Sequence, residues 1–293
     1  MLRPAAGVYA FYDGRVEGRR FADAPNWVDD GALSLGIASY AIVSGDAALV
    51  YDTHISVAHA RRIRAVLEDA GVETFTVVLS HWHLDHVAGT AAFGDCDVVA
   101  CTRTAELLAA SRDAIERGTL EGPPPIDPLV LPTATFDDRL ELAIGGLRLE
   151  LVHTEIHSDD ATVLWWPERQ LLLCGDTLED TVTYVDEPAR LPAHRANLAV
   201  LDALQPACIL PNHGAPDVIA AGGYSDSLIA ATERYIGLLL RTSDEPALAQ
   251  LTLADVVPLL ESGDVHYYEP YEAVHRRNVE AVGAHAAAVR ASA

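Results

Sequence analysis

The sequence predicts an α/β protein, and three observations carry that expectation. Apolar, β-branched runs alternate with helically spaced segments from 37 to 117; paired strand runs follow from 140 to 174; and the part from 225 to 290 is mainly helical. At 293 residues and 50% hydrophobic content the chain can bury a sizeable core. It reads as one domain, 1–293, whose last part, 225–290, is mainly helical.

In order, Gly7-Val8-Tyr9-Ala10-Phe11-Tyr12 reads as a short strand turned by Asp13-Gly14, and residues 16–30 are charged and irregular. The runs 37–43 and 47–53 are strands joined by Ser44-Gly45-Asp46. Asp52 ends the second of them, either as a cap for the next helix or as a partner that supports a metal ligand. Residues 56–70 place Val57, Ile63, Val66 and Leu67 on one helical face, and Gly71 stops that helix. Phe75-Thr76-Val77-Val78-Leu79 is a buried strand, Gly89–Phe93 begins a helix, 97–101 is a strand and 104–117 a helix. Prolines 123–125 and 128 keep 118–132 out of regular structure; the stretch is either a lid over a site or an inert surface excursion, and a wall of the pocket is the favoured expectation. Strands follow at 140–144 and 147–152, then a hairpin of 161–166 and 170–174 about Pro167-Glu168-Arg169. A helix at 194–204 leads to a strand at 207–210.

Composition narrows the partners. A formal charge of −23 and a pI near 4.7 argue against nucleic acid and against an anionic membrane surface. No apolar stretch reaches the roughly 18 residues of a membrane span, and the N-terminus lacks the apolar core of a signal peptide. Cys96, Cys101, Cys174 and Cys208 form no CxxC pair and read as reduced thiols. A cytoplasmic protein acting on a small molecule is expected, with the helical tail as a route to a homodimer.

The chemistry concentrates in Ser80-His81-Trp82-His83-Leu84-Asp85-His86, released directly after the strand 75–79. His81 and His83 are two apart, so an extended backbone puts them on one face, where they can meet one ion. Asp85 and His86 follow after a turn and suit a second ion. His157, Asp176 and His213 each stand just outside a predicted strand and complete a set of ligands for two ions. His153 reads as structural or pocket-lining.

These ordered motifs resemble the metallo-β-lactamase superfamily of metal-dependent hydrolases over about residues 33–216. The resemblance implies a four-layer αβ/βα sandwich with metals at one edge of two sheets. It also implies that His81, His83 and His157 hold one metal, that Asp85, His86 and His213 hold the other, and that Asp176 bridges them. Imidazole and carboxylate suit two Zn2+, with Mn2+ or Fe2+ as alternatives. A hydroxide between the cations would then attack a carbonyl of a small ester, lactone or amide, with Asp85 moving the proton. Where the family's β-lactamases commonly carry cysteine this chain has Asp176, which fits the lactonase and thioesterase branches better. Tyr184 is a candidate catalytic hydroxyl, as in some lactonases of the superfamily. A glyoxalase II-type thioesterase and an iron-dependent, persulfide dioxygenase-like oxidoreductase are the alternatives. Glu179-Asp180-Thr181 stands where the thioesterases continue Gly-Cys-Gly-Arg. The aromatic residues Trp82, Trp165, Trp166, Tyr184, Tyr267, Tyr268 and Tyr271 are candidates to line the pocket, with Trp165 and Trp166 at least partly core.

Overall fold

Two mixed sheets take shape in the computed structural model, which describes residues 1–292. Strands β1 (Leu2–Ala5) and β2 (Val8–Asp13) lead through the short helix α1 (Leu33–Leu35) to β3 (Ile37–Ser44) and β4 (Ala47–Tyr51). Helix α2 (Val57–Asp69) crosses to β5 (Thr74–Val78), the single turn α3 (Leu84–Val87) follows, and β6 (Asp97–Cys101) leads into α4 (Thr102–Glu116) and β7 (Ala134–Phe136). These seven strands lie in chain order, antiparallel from β1 to β4 and parallel from β4 to β7. The second sheet holds β8 (Arg139–Ile144), β9 (Leu147–His153), β10 (Thr162–Trp166), β11 (Leu171–Gly175) and, after α5 (Leu191–Ala203), β12 (Cys208–Pro211) in the order 12-11-10-9-8. Helices α6 (Pro216–Ala221), α7 (Ser227–Arg241), α8 (Leu253–Val256) and α9 (Tyr271–Ser292) close the chain.

Period-two alternation produces the layers. In β3 and β4, Ala38, Tyr40, Ile42, Leu49 and Tyr51 face the second sheet's Leu151, Leu164 and Leu173 in one core. The intervening Ile37, Ala41, Ala48 and Val50 face α2 and α4, through Ile63, Leu67, Leu108 and Ile115, in another. Helices α5 and α7 cover the far side of the second sheet with Leu198, Leu201, Leu228 and Tyr235. This is the four-layer αβ/βα arrangement. Burial of each of these Val, Leu and Ile side chains is worth about 1.5–3 kcal/mol.

Two buried tyrosines pin the sheets together at the edge where the polar loops emerge. Tyr51 donates its hydroxyl to Thr162 O across the interface, and Tyr40 donates to Pro211 O at 2.6 Å. Removing either hydroxyl would strand a buried carbonyl, at a cost of about 1–3 kcal/mol.

Several local expectations are corrected. Strands β1 and β7 are not foreseen; both are short edge strands with half-exposed patterns. The stretch after Gly89 is only a 3-10 turn, Thr90–Phe93, because the chain turns straight back into β6. Residues 52 and 53 fall outside β4, since Asp52 adopts φ +63°. Ser56, not Asp52, caps α2 by accepting from His59 N at 3.3 Å, so Asp52 is free for another task. Among the described residues, no helix is long and apolar enough to cross a membrane.

Candidate metal centre

The histidines reach one place because parallel strands end together. β5 releases His81 and His83, β11 releases Asp176, β12 releases His213, and the β9–β10 connection carries His157. Gly175 makes the turn before Asp176 at φ +56°, and a Cβ there would sit 2.9 Å from Ser80 Cβ. His157 itself holds φ +72°, a strained conformation of order 1 kcal/mol or more that packing must sustain.

Two groups of donors result. One atom from each of His81, His83 and His157 lies within 4.8 Å of the others, and the same holds for Asp85, His86 and His213. Asp176 stands between the groups. Its Oδ2 is 3.1 Å from His86 Nε2, 3.3 Å from His213 Nε2, 3.7 Å from His81 Nε2 and 3.8 Å from His157 Nε2. Thus one carboxylate oxygen faces both sets.

Four of the five imidazoles are hydrogen-bonded through their other nitrogen. His86 Nδ1 is 2.9 Å from Asp52 Oδ2, His213 Nδ1 donates to Gly36 O at 2.7 Å and His157 Nδ1 to Tyr184 O at 3.1 Å. His81 Nδ1 lies 2.9 Å from Ser80 Oγ, whereas His83 Nε2 stands 3.9 Å from Asp186 Oδ2, an electrostatic approach beyond hydrogen-bond reach. Such partners choose the tautomer and aim the inner nitrogen's lone pair at the common centre.

The electrostatics suit a cation. His81 Nε2 and Asp176 Oδ1 are buried with no hydrogen-bond partner, and His83 Nδ1 and His157 Nε2 face each other at 2.9 Å. With the outer nitrogens carrying the protons, these inner atoms are bare acceptors crowded together, which is unfavourable unless a cation sits among them. Burial drives the His81 imidazole well below its usual range. Burial opposes a charge on His86 and His213, yet the Asp176 and Asp85 carboxylates override it and hold both well above that range. Asp85, against its burial, is held down to about 2 by His86 and His213. The residues fit one or two divalent cations.

The structure also places residues that sequence reasoning missed. Asn212 Nδ2 donates to Asp52 Oδ2 at 2.6 Å, and Ser80 N donates to Asp52 Oδ1 at 2.7 Å. Asp52 is therefore the support of a site histidine rather than a helix cap. Glu179, fully buried, accepts from Tyr184 N and from Tyr271 Oη, each at 2.9 Å, and burial with the nearby Asp176 pushes its carboxyl up to about 8. Asn278 of α9 accepts from Val185 N and donates to Thr183 O, both at 2.9 Å. Only Asn212 carried a signal, as the neighbour of His213. His153 turns away and donates Nε2–H to Asp159 O at 2.9 Å.

A cavity of about 720 Å³ opens over the centre, lined in part by His83, Asp85, His157, Asp176, Tyr184 and His213. Glu121 and Gly122 of the 118–132 stretch wall it, as do Trp27 and Arg277. Of the seven aromatic candidates only Tyr184 lines it. Trp165 and Trp166 are buried on opposite faces of β10, Tyr271 is buried on Glu179, Tyr267 is exposed, Tyr268 stacks under Arg15, and Trp82 packs against the core between the first sheet and its helices.

Comparison with known proteins agrees with this picture. A profile of the Metallo-beta-lactamase superfamily matches residues 34–213. The chain is 25% identical over 211 residues to a linear primary-alkylsulfatase of Pseudomonas sp. (strain ATCC 19151), covering 57% of this chain and 39% of that protein. It is 28% identical over 157 residues to the beta-lactamase-like protein 2 homolog of Caenorhabditis elegans, covering 52% of this chain and 46% of that one. The chain thus spans less than half the length of these relatives. In fold it is similar to a metallo-beta-lactamase from Pontibacter korlensis, at TM-score 0.52 and 19% identity over 66% of this chain and 87% of that one. It is likewise similar to TMB-1, at TM-score 0.54 and 18% identity over 77% and 94%. With the family profile covering more than half of its length, this chain belongs to the metallo-β-lactamase superfamily.

Proposed function

We propose that this protein is a dinuclear metal-dependent hydrolase acting at the carbonyl of a small, neutral ester, lactone or amide. The observation that carries the reading is Asp176 Oδ2, within 3.8 Å of ring nitrogens from both histidine sets. His81, His83 and His157 would hold one cation, Asp85, His86 and His213 the other, and Asp176 would be shared. Zinc suits this donor set, and Mn2+ or Fe2+ can occupy it. Bound there, the cations supply an acidified water and polarise the substrate carbonyl.

The chain's own residues do the rest. Asp85 is ionised and carries its Oδ2 3.3 Å from His213 Nε2, placed to take up and hand on a proton. The Tyr184 phenol, raised above its usual range by burial, stays protonated and donates to the oxygen on which charge develops. Carboxylates of Asp30, Glu121 and Asp186 join the cavity lining against the single guanidinium of Arg277, which weighs against an anionic substrate. A sulfate ester is the second reading, favoured by the similarity to the alkylsulfatase, with Arg277 as the group that would meet the anion.

The test is metal analysis of protein purified without added metal, followed by a hydrolysis screen over lactones, esters, thioesters, β-lactams and primary alkyl sulfates. Two zinc per chain with turnover of neutral carbonyl substrates, abolished in His83→Ala and His213→Ala, is expected. Turnover confined to alkyl sulfates establishes the second reading. One iron per chain and no hydrolysis overturns both in favour of an oxidoreductase.

A further inference from the structure

Apart from the metal cavity, the molecule contains a second hollow of about 380 Å³. It is formed by the start of α2, the segment 27–33, the proline-rich stretch 124–128 and the end of β2. No residue assigned to metal or catalysis above lines it.

Its polar lining is a connected chain. Ser56 Oγ lies 2.8 Å from His59 Nδ1, His59 Nε2 lies 3.2 Å from Asp13 Oδ2, and Arg20 Nη2 donates to Asp13 Oδ1 at 2.7 Å. Helix capping accounts for Ser56, which accepts from His59 N. It does not account for Asp13, drawn from β2 far along the chain, nor for the 32% and 29% exposure that His59 and Asp13 keep beside the hollow. With the Ser56 hydroxyl donating to Nδ1, His59 donates Nε2–H to Asp13 Oδ2; Gly14 N also donates to Oδ1 at 2.8 Å, so the carboxylate keeps one lone pair, on Oδ2, for a further donor.

The remaining lining is mainly apolar, including Trp27, Leu33, Ile55 and Ile126, with Pro124 and Pro125 presenting flat ring faces. Charge narrows the ligand. Arg20 already balances Asp13, so no cation is called for, and the carboxylates of Asp13 and Asp127 repel an anion. A neutral molecule with one hydrogen-bond donor is the complement. The volume lies at the low end of the roughly 300–1,000 Å³ of small-molecule sites, enough for one or two fused rings.

We propose that this hollow is a second ligand site, for a small aromatic alcohol whose ring lies among Trp27, Leu33, Ile55 and Ile126 and whose hydroxyl donates to Asp13. The site is independent of hydrolysis at the metal centre. It adjoins that centre, because Trp27 lines both cavities and Ala88, in the second lining, directly follows the α3 turn that carries Asp85 and His86.

The probe is 2-naphthol, with 2-naphthoate as its anionic counterpart. Binding is followed by the NMR signal of the Trp27 indole N–H, which donates to Pro124 O at 3.0 Å in the wall of the site. Saturation at one equivalent is expected in metal-free and metal-loaded protein alike, with 2-naphthol at least about tenfold tighter than 2-naphthoate. Val57→Phe and Ala88→Phe each place a ring in the hollow and should weaken binding on the order of tenfold or more. Val57 is only half-buried, so it keeps the test valid if the Ala88 variant folds poorly. Asp13→Asn should narrow the preference for the alcohol over the anion. His83→Ala, in the other cavity, should leave binding unchanged. Absence of a saturable shift, or binding that is lost in His83→Ala and kept in Val57→Phe, overturns the proposal.

Discussion

Replacing Asp52 by Asn tests how the second histidine set is held. Asp52 is fully buried, and three donors converge on it: Ser80 N at 2.7 Å on Oδ1, and His86 Nδ1 at 2.9 Å and Asn212 Nδ2 at 2.6 Å on Oδ2. Asparagine has the same shape but one acceptor oxygen. If that oxygen serves Ser80 N, the new amide N–H2 faces Asn212 Nδ2 and His86 Nδ1. His86 can then relieve the clash only by moving its proton to Nε2, the nitrogen that points at Asp176 from 3.1 Å and would have to bind a cation. The loss is one charge-assisted hydrogen bond, about 1.5–3 kcal/mol, or about 10- to 100-fold in affinity at one site. Zinc affinity measured by competition with a chromophoric chelator should show the second zinc weakened by about that factor and the first changed no more than about threefold. Unfolding of metal-free protein reports any separate loss of stability. Equal weakening of both sites, or of neither, would refute the argument that Asp52 acts through His86.

Asp85→Asn should lower turnover by on the order of 10² or more while the first metal stays bound; unchanged kcat with an unchanged pH profile would remove Asp85 from proton transfer. Asp176→Ala should titrate with one tight and one much weaker zinc, because the three-imidazole set survives; two tight zinc ions would show that Asp176 does not bridge. His194 has both ring nitrogens buried without partners, and burial, helped by Arg190, pushes its imidazole down to about 4. As pH falls from 6.5 towards 4, the unfolded chain takes up a proton that the folded one refuses, so this group removes up to about 3 kcal/mol of stability. His194→Leu should lose that slope and raise the urea midpoint at pH 5; an unaltered slope sinks the assignment. Asn278→Leu should weaken the first metal about 10- to 100-fold more than the second, and equal affinities with only a lower Tm would reduce Asn278 to packing.

The legible part of the site was local. His81, His83, Asp85 and His86 lie within six positions after a β-branched strand, and the strands around them follow a two-residue alternation that a sequence displays directly. What remained hidden depends on distance along the chain. Asp52 could not be separated from a cap until Ser56 was seen in that role, and its contact with His86 spans 34 positions. Tyr267, Tyr268 and Tyr271 were indistinguishable as pocket candidates, because their directions depend on how α9 and the turn before it pack against α7 and α8. Strand β7 has only three residues, and its pairing with β6 rather than any run of apolar residues makes it a strand.

The carboxy-terminal helices look dispensable to the chemistry by sequence, and the superfamily profile ends at 213, before them. Their hydrogen bonds argue otherwise. His157 is oriented by a single carbonyl, that of Tyr184, and the backbone on either side of it is held by buried side chains. Glu179 takes Tyr184 N, while Asn278 takes Val185 N and returns a bond to Thr183 O, each at 2.9 Å. Asn278 is in turn tied to Tyr235 Oη at 3.0 Å, and Glu179 to Tyr271 Oη at 2.9 Å, so α7 and α9 both anchor the clamp. All of these residues except the half-buried Tyr184 are buried, which makes the bonds costly to leave unmade and holds the segment 183–185 in place. A histidine in a strained φ +72° backbone needs such support to keep its Nε2 turned toward His81 and His83. The helices beyond the matched region therefore complete the metal centre from outside it, and a chain cut after residue 216 would keep all seven metal-facing side chains yet lose the part that aims His157.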